Sequence, residues 1–124
     1  MANIETDIDF EKDLTIFSVK GELTANEIIQ YASGPYNQTP TKLVIWDVSE
    51  GHIYNNTSDE FRNIALKMKK LTEKRQGGKT AFIGNLDADF GMGRMYEVFA
   101  KTENLPVEFK SFKSLDEAMK WLGK

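Results

Sequence analysis

The residues with potential for chemistry fall into two groups. The first follows the apolar run Leu43 to Trp46 and contains Asp47, Ser49, Glu50 and His52, then Tyr54-Asn55-Asn56-Thr57-Ser58. The second is "DADFGMGRMYE", Asp87 to Glu97, where Asp89, Phe90 and Arg94 surround two glycines one residue apart. Carboxylates gathered at one edge could hold Mg²⁺, or one of them could accept a phosphoryl group. Glycines at a helix start could cradle a phosphate on free backbone amides. Thr57 and Ser58 precede a helical pattern, and a hydroxyl there is well placed for added phosphate, because the helix dipole stabilises negative charge.

Each of these chemistries meets a specific objection. A dinucleotide fingerprint is G-x-G-x-x-G on the first turn of a strand–helix–strand unit. Here Tyr96 stands in place of the third glycine, the motif follows the fourth strand-like run, and Asp87 and Asp89 would repel a phosphate. The stretch therefore reads as a helix entrance capped by Asp89. A phospho-accepting receiver domain needs an acidic pair after its first parallel strand, and that position reads Gly21-Glu22-Leu23. His52 is the only histidine and there is no cysteine, so imidazole clusters, thiol catalysis and disulfides have no basis. No acid and base pair at workable spacing, so the expectation is a non-enzyme without metal or cofactor.

Composition narrows the partners. A net charge of −3 with both signs dispersed leaves no footprint for a nucleic acid. The opening "MANIETDIDFEKD" is acidic and lacks the apolar core of a signal peptide, and no apolar run reaches the ~20 residues of a membrane span. A cytoplasmic protein is expected. At 124 residues the length fits one domain, residues 1–124.

The elements that must position these residues alternate in type. "IETDIDF" and "LTIFSVKG" read as a hairpin. "TANE" at Thr24 is a capping box, and the helix it opens should stop at Gly34-Pro35, before the irregular loop "PYNQTPT". "KLVIWDVS" is the clearest strand, continuously apolar as in a buried sheet, followed by the loop "EGHIYNN". A second capping box at Thr57 opens a helix with Phe61, Ile64, Ala65, Met68 and Leu71 on one face. Its end, "KMKKLTEKR", places five basic residues, Arg75 among them, near the helix C-terminus, where cations are stabilising. "KTAFIGN" is a strand, and the glycine motif leads into a helix with Met92, Met95, Tyr96 and Phe99 on one side. "VEFKSF" and "SLDEAMKWL" close the chain as strand and helix, the latter with a third capping box at Ser114 and an apolar face of Leu115, Ala118, Met119 and Leu122. The order is β-β-α-β-α-β-α-β-α. It implies an α/β fold: an N-terminal β-hairpin, then β-α repeats, building a mostly parallel five-stranded sheet with four helices mainly on one face.

This order, with "LTIFSVKGELT", "LVIWDVSEGHIYNNTS" and "GRMYEVFAKTENLPVEFKSFKSLDEAMKWL", resembles the STAS domains (sulfate transporter and anti-anti-sigma factor) in their stand-alone, bacterial SpoIIAA-like branch. Asp47 and Ser49 match the family's Asp-Leu-Ser strand ending, and Ser114, Glu117 and Ala118 match its closing S-x-x-E-A helix. The resemblance implies a signalling module that binds another protein. In phosphorylated members Asp-Ser-Ser-Gly opens the second helix, whereas here Asn55, Asn56, Thr57 and Ser58 stand there. The serine switch is therefore not carried over, and only Thr57 or Ser58 could keep a remnant of it. The regulatory or partner-binding set is Asp47, Ser49, His52, Asn55, Asn56, Thr57 and Ser58, and a ligand edge could involve Asp89, Phe90 and Arg94. The fold group shared with lipid-binding CRAL-TRIO domains offers an alternative, a carrier of a lipid-like ligand, using Tyr54, Phe90, Met92 and Met95. An apolar, less-covered sheet face would favour a homodimer.

Overall fold

A computed structural model describes residues 2–124. The elements are β1 (Asn3–Asp9), β2 (Leu14–Glu22), α1 (Ala25–Asn37), β3 (Leu43–His52), α2 (Ser58–Leu71), β4 (Lys79–Ile83), α3 (Asp87–Thr102), β5 (Glu108–Phe112) and α4 (Leu115–Leu122). The five strands lie in sequential order, β1 antiparallel to β2 and the remaining pairs parallel. The mostly parallel α/β sheet expected from the pattern is the one observed.

The alternation of side chains along the strands divides the core in two. Phe17, Val19, Val44, Trp46, Val48 and Phe82 face α1, α2 and α3, with Phe17 stacked on Trp46 at 4.2 Å. Leu14, Ile45, Ala81, Ile83 and Phe112 face the other way, toward Ala118 and Leu122 of α4. Handedness explains the split. Right-handed crossovers between strands added in one direction place every connecting helix on the same face. α4 connects nothing: it follows the edge strand and folds back under the sheet, where it covers β3 to β5. The part of that second face left uncovered, over β1 and β2, carries Glu5, Asp7, Ser18 and Lys20, all exposed. It is polar, so the apolar surface expected to favour a homodimer is absent from it.

Three expectations about the connections are corrected. α1 does not stop at Gly34-Pro35 but runs through Pro35 to Asn37. Tyr36 carries it past the proline: its buried ring lies edge-on to Phe17 and beneath the Arg75 guanidinium, 5.0 Å away. β3 does not end before "EGHIYNN" but continues to His52, through an irregularity opposite β2 where Ser18 pairs with Asp47 but Lys20 with Glu50. This places one extra residue on β3, the signature of a β-bulge. The Thr24 and Thr57 capping boxes form in both directions, whereas at Ser114 the hydroxyl accepts from Glu117 N–H and only that half of the box is present.

Arg75 is a fourth correction. It is not a solvated cation at a helix end. α2 stops at Leu71, and a short 3-10 turn, Glu73–Arg75, drops the arginine into the interior, where it is 0% exposed. Its Nε donates to the Thr41 carbonyl, Nη1 to Thr80 Oγ1 and the Tyr36 hydroxyl, and Nη2 to the Lys42 and Lys79 carbonyls. Every N–H of the guanidinium fork is engaged. Burial pushes this group's pKa down from its ordinary value, and the neighbouring Tyr36 and Asp13 oppose the shift. Replacing it deprives the buried Thr41 carbonyl and Thr80 hydroxyl of this donor, each at a cost of about 1–3 kcal/mol. Arg75→Met is therefore expected to lower unfolding stability by about 3 kcal/mol or more, read as a fall in urea midpoint, with Arg75→Lys recovering only part of it.

The two glycines of α3 differ in purpose. A Cβ at Gly93 would lie 2.5 Å from Ser111 Oγ and 2.6 Å from Phe82 Cδ2, so this glycine lets the helix press directly on the sheet. A Cβ at Gly91 would meet nothing within 4 Å. Gly91→Ala should raise stability by about 0.5–1 kcal/mol, through helix propensity, while Gly93→Ala should lower it by about 1–3 kcal/mol, through overpacking. Thermal unfolding of the two variants checks the opposite signs.

Candidate functional site at the carboxyl ends of the strands

The carboxyl ends of β2, β3 and β4 form one edge, where open α/β sheets place their ligands. The sequence reading put Asp47, Ser49, His52 and the 55–58 run in one group and Asp89, Phe90 and Arg94 in another. The structure joins the groups at a single point and separates most of the rest.

The junction is Asp89. It is not the cap of α3: the N-cap position is Leu86, which makes no side-chain cap bond, and Asp89 lies in the first turn with its side chain turned inward, 1% exposed. Its Oδ1 accepts the backbone N–H of Ile53 at 2.7 Å, and its Oδ2 lies 2.9 Å from His52 Nδ1. A carboxylate only accepts, so Nδ1 carries the proton and Nε2 is left as the free nitrogen. The imidazole is 36% exposed and lies 5.0 Å, centre to centre, from the exposed ring of Tyr54. The signal for an inward aspartate was in the sequence. Asp89, Gly93, Tyr96 and Ala100 recur at i, i+4, i+7 and i+11 and form the buried stripe of α3.

Asn56 holds the other side of the loop. Its Oδ1 accepts the Ala25 N–H at 3.0 Å, and its Nδ2 donates to the carbonyls of Leu23 at 2.8 Å and Ile53 at 3.0 Å. It ties the β3–α2 loop to the entrance of α1, a structural role that the family comparison of this position did not suggest. Asn55 donates to Glu22 Oε1 at 2.7 Å, on the surface. Thr57 caps α2, its hydroxyl accepting from Glu60 N–H at 3.2 Å, and Ser58 is exposed at the first helical position. Asp47 and Ser49 form a closed local pair: Asp47 Oδ1 accepts both the N–H and the hydroxyl of Ser49, at 3.1 and 2.6 Å. That pairing satisfies the Ser49 amide within the β-bulge and accounts for both residue types there. Just beyond it, a Cβ at Gly51 would come within 2.8 Å of the Gly21 carbonyl, so only glycine fits so close to β2.

Phe90 and Arg94 make their contacts with Lys113 and Glu97 and not with Thr57. The Phe90 ring lies between two cations, Lys113 Nζ at 5.3 Å and the Arg94 guanidinium at 6.0 Å. Arg94 Nε is 3.5 Å from Glu97 Oε2, which also accepts the Ser111 N–H of β5. Lys113 donates to Asp87 at 2.6 Å, and that bond holds the Asp87 carboxyl below its ordinary pKa. This aromatic and basic cluster thus belongs to the β5–α4 side of the edge. The Asn55–Ser58 side belongs to the α1 entrance, and His52 with Asp89 stands between them. Lys113 and Glu97 lie within stretches quoted from the sequence but were not singled out there, because nothing local marks either for a role.

No group of three histidine or acidic side chains able to hold a metal occurs among the described residues. The interior between the sheet and α2 and α3 contains a cavity of about 60 Å³, lined by apolar side chains including Leu23, Ile53, Phe61 and Tyr96, with Tyr36, Thr80 and Arg75 as polar members. Ligand pockets run to about 300–1,000 Å³, so this space has no room for a lipid chain and lends the carrier alternative no support. Met92 and Met95 pack against the core cluster instead of lining an open groove. Burial pushes the Tyr36 and Tyr96 phenols upward, so neither is an acid near neutral pH.

No protein-family model matches the chain, and neither does any curated protein. Among solved structures it is similar to the crystal structure of an anti-sigma factor antagonist from Mycobacterium paratuberculosis, with a TM-score of 0.62 and 16% sequence identity. The superposition covers 100% of this chain and 96% of that one. At this identity the likeness is one of fold, and it extends over the whole chain: the hairpin, the parallel sheet and the helices together form the α/β fold of an anti-sigma factor antagonist, the architecture that the STAS resemblance implies.

Proposed function

We propose that the protein is a non-enzymatic regulatory module that binds another protein through the loop Gly51–Asn56 and the first turn of α2. The observation that carries this reading is the whole-chain likeness to an anti-sigma factor antagonist, a protein defined by what it binds. The loop has the properties such a surface needs. Asp89 and Asn56 fix its backbone from two sides, while Tyr54, Asn55, Thr57 and Ser58 remain exposed. A prepositioned loop spares the ordering cost that binding otherwise incurs. Among the described residues no helix is long and apolar enough to cross a membrane.

Ser58 is the better candidate for a phospho-switch on this surface. The Thr57 hydroxyl is used by the cap, which a phosphate would break, whereas Ser58 offers an exposed hydroxyl beside the free amides of the first turn. Asp59 and Glu60 in the same turn oppose an added dianion, so the modification would act by repelling a partner. Affinity capture from a bacterial lysate is the test. Wild-type protein is expected to retain a protein that Tyr54→Ala loses and that Ser58→Glu binds at least about tenfold more weakly, about 1.4 kcal/mol. Capture of the same set of proteins by all three forms would remove the support for this surface.

A further inference from the structure

We propose that His52 Nε2 is a phosphoryl-acceptor site, with Asp89 as its positioning residue. His52 lies within the loop named above as the protein-binding surface, but the inference rests on the geometry of the His52–Asp89 pair and not on that reading.

Three features of the pair make Nε2 a nucleophile. Asp89 is held rigidly, one oxygen on the Ile53 amide at 2.7 Å and the other on His52 Nδ1 at 2.9 Å, inside a helix turn with no solvent access to the carboxylate. That bond fixes the tautomer with the proton on Nδ1 and the lone pair on Nε2. The same carboxylate stabilises positive charge that develops on the ring when Nε2 forms a bond, the role an aspartate plays toward histidine in hydrolytic triads.

The surroundings exclude the other uses of such a nitrogen. No cluster of acidic or imidazole side chains completes a metal site among the described residues. The chain has no cysteine to activate, and the hydroxyls of Ser49 and Thr57 are committed to Asp47 and to the cap of α2. The interior cavity takes its lining from Ile53, the next residue, and not from His52, so the imidazole does not share that enclosed volume. A general base would need such a volume. An acceptor of a group from a donor docked on the surface does not, and a one-third exposed ring at the sheet edge is open to that approach.

With a P–N donor the step balances without a further reactant. The Nε2 lone pair attacks phosphorus of the zwitterionic phosphoramidate monoanion, whose nitrogen already carries three hydrogens; the P–N bond breaks and ammonia departs with that electron pair. The product is Nε2-phosphohistidine, its ring cationic and its Nδ1 proton still bonded to Asp89.

The test uses the full chain and potassium phosphoramidate. Since His52 is the only histidine, intact mass follows the gain of one phosphoryl group, and ³¹P NMR distinguishes attachment at Nε2 from attachment at Nδ1. Folded protein is expected to acquire a single acid-labile, alkali-stable phosphoryl group at Nε2, about 10–100-fold faster than the same chain unfolded in urea. Asp89→Asn keeps an oxygen for the Ile53 amide but presents an N–H to Nδ1, which moves the ring proton to Nε2. This variant should lose the rate advantage while its circular dichroism and thermal midpoint show whether it remains folded. Equal rates for folded and unfolded wild-type chain would overturn the proposal even if the variant fails to fold. Attachment at Nδ1, or a folded Asp89→Asn reacting at the wild-type rate, would overturn it as well.

Discussion

The guanidinium of Arg75 holds together the end of the sheet where the parallel strands begin. A parallel strand enters the sheet from a connection whose backbone groups no neighbouring strand can satisfy, and burying them unpaired is costly. One side chain with five donors meets this need for the Thr41 carbonyl and also reaches those of Lys79 and of Lys42, the last of which accepts the Lys79 N–H as well. It does so without a carboxylate in contact, its charge compensated by carbonyl dipoles and by the face of Tyr36. The position of α1 follows from the same group, since Tyr36 rests against Arg75 and draws the helix through its proline.

At the opposite end the solution differs in kind. There Asp89 and Asn56, both acting on the β3–α2 loop, replace a single central donor with two separate clamps. The arrangement leaves the tips of the loop exposed while fixing their backbone. Stability is thereby concentrated at one end of the strands and a presented, ordered surface at the other. The division matches the general tendency of parallel sheets to carry binding at their carboxyl ends. The pairing of His52 with the inward carboxylate is a by-product of this clamp that acquires chemical character, because it decides which imidazole nitrogen meets solvent.

Of the two glycines of α3 beside this site, one serves packing. Gly93 removes the side chain that would separate α3 from Phe82 and Ser111, and the helix settles close enough for Asp89 to reach Ile53. Gly91, two residues earlier, is exposed, and a Cβ there would meet nothing within 4 Å. A motif that resembles a phosphate cradle in one dimension thus resolves into one residue with a steric task and one without. The polar, uncovered portion of the second sheet face is consistent with the same economy: α4 covers the apolar strands β3 to β5 and leaves β1 and β2 charged.

Hydrophobic periodicity, capping residues and turn residues determined the number, type and order of the elements, because these depend on contacts within a few residues. From the order of elements came the mostly parallel sheet, and from handedness the common face of the crossover helices. Local signals misjudged the length of α1 and β3, where Tyr36 and the bulge at Asp47–Ser49 override a proline and a polar run. They also misplaced Arg75 and Asp89, which look like ordinary helix-end charges in sequence. The spacing of Asp89 with Gly93, Tyr96 and Ala100 made its burial legible, but nothing local could reveal that His52, 37 residues away, would be its partner. Whether a charged side chain meets solvent or a buried donor is settled by which surfaces come together on folding. That is a property of packing between distant segments, and only the tertiary structure decides it.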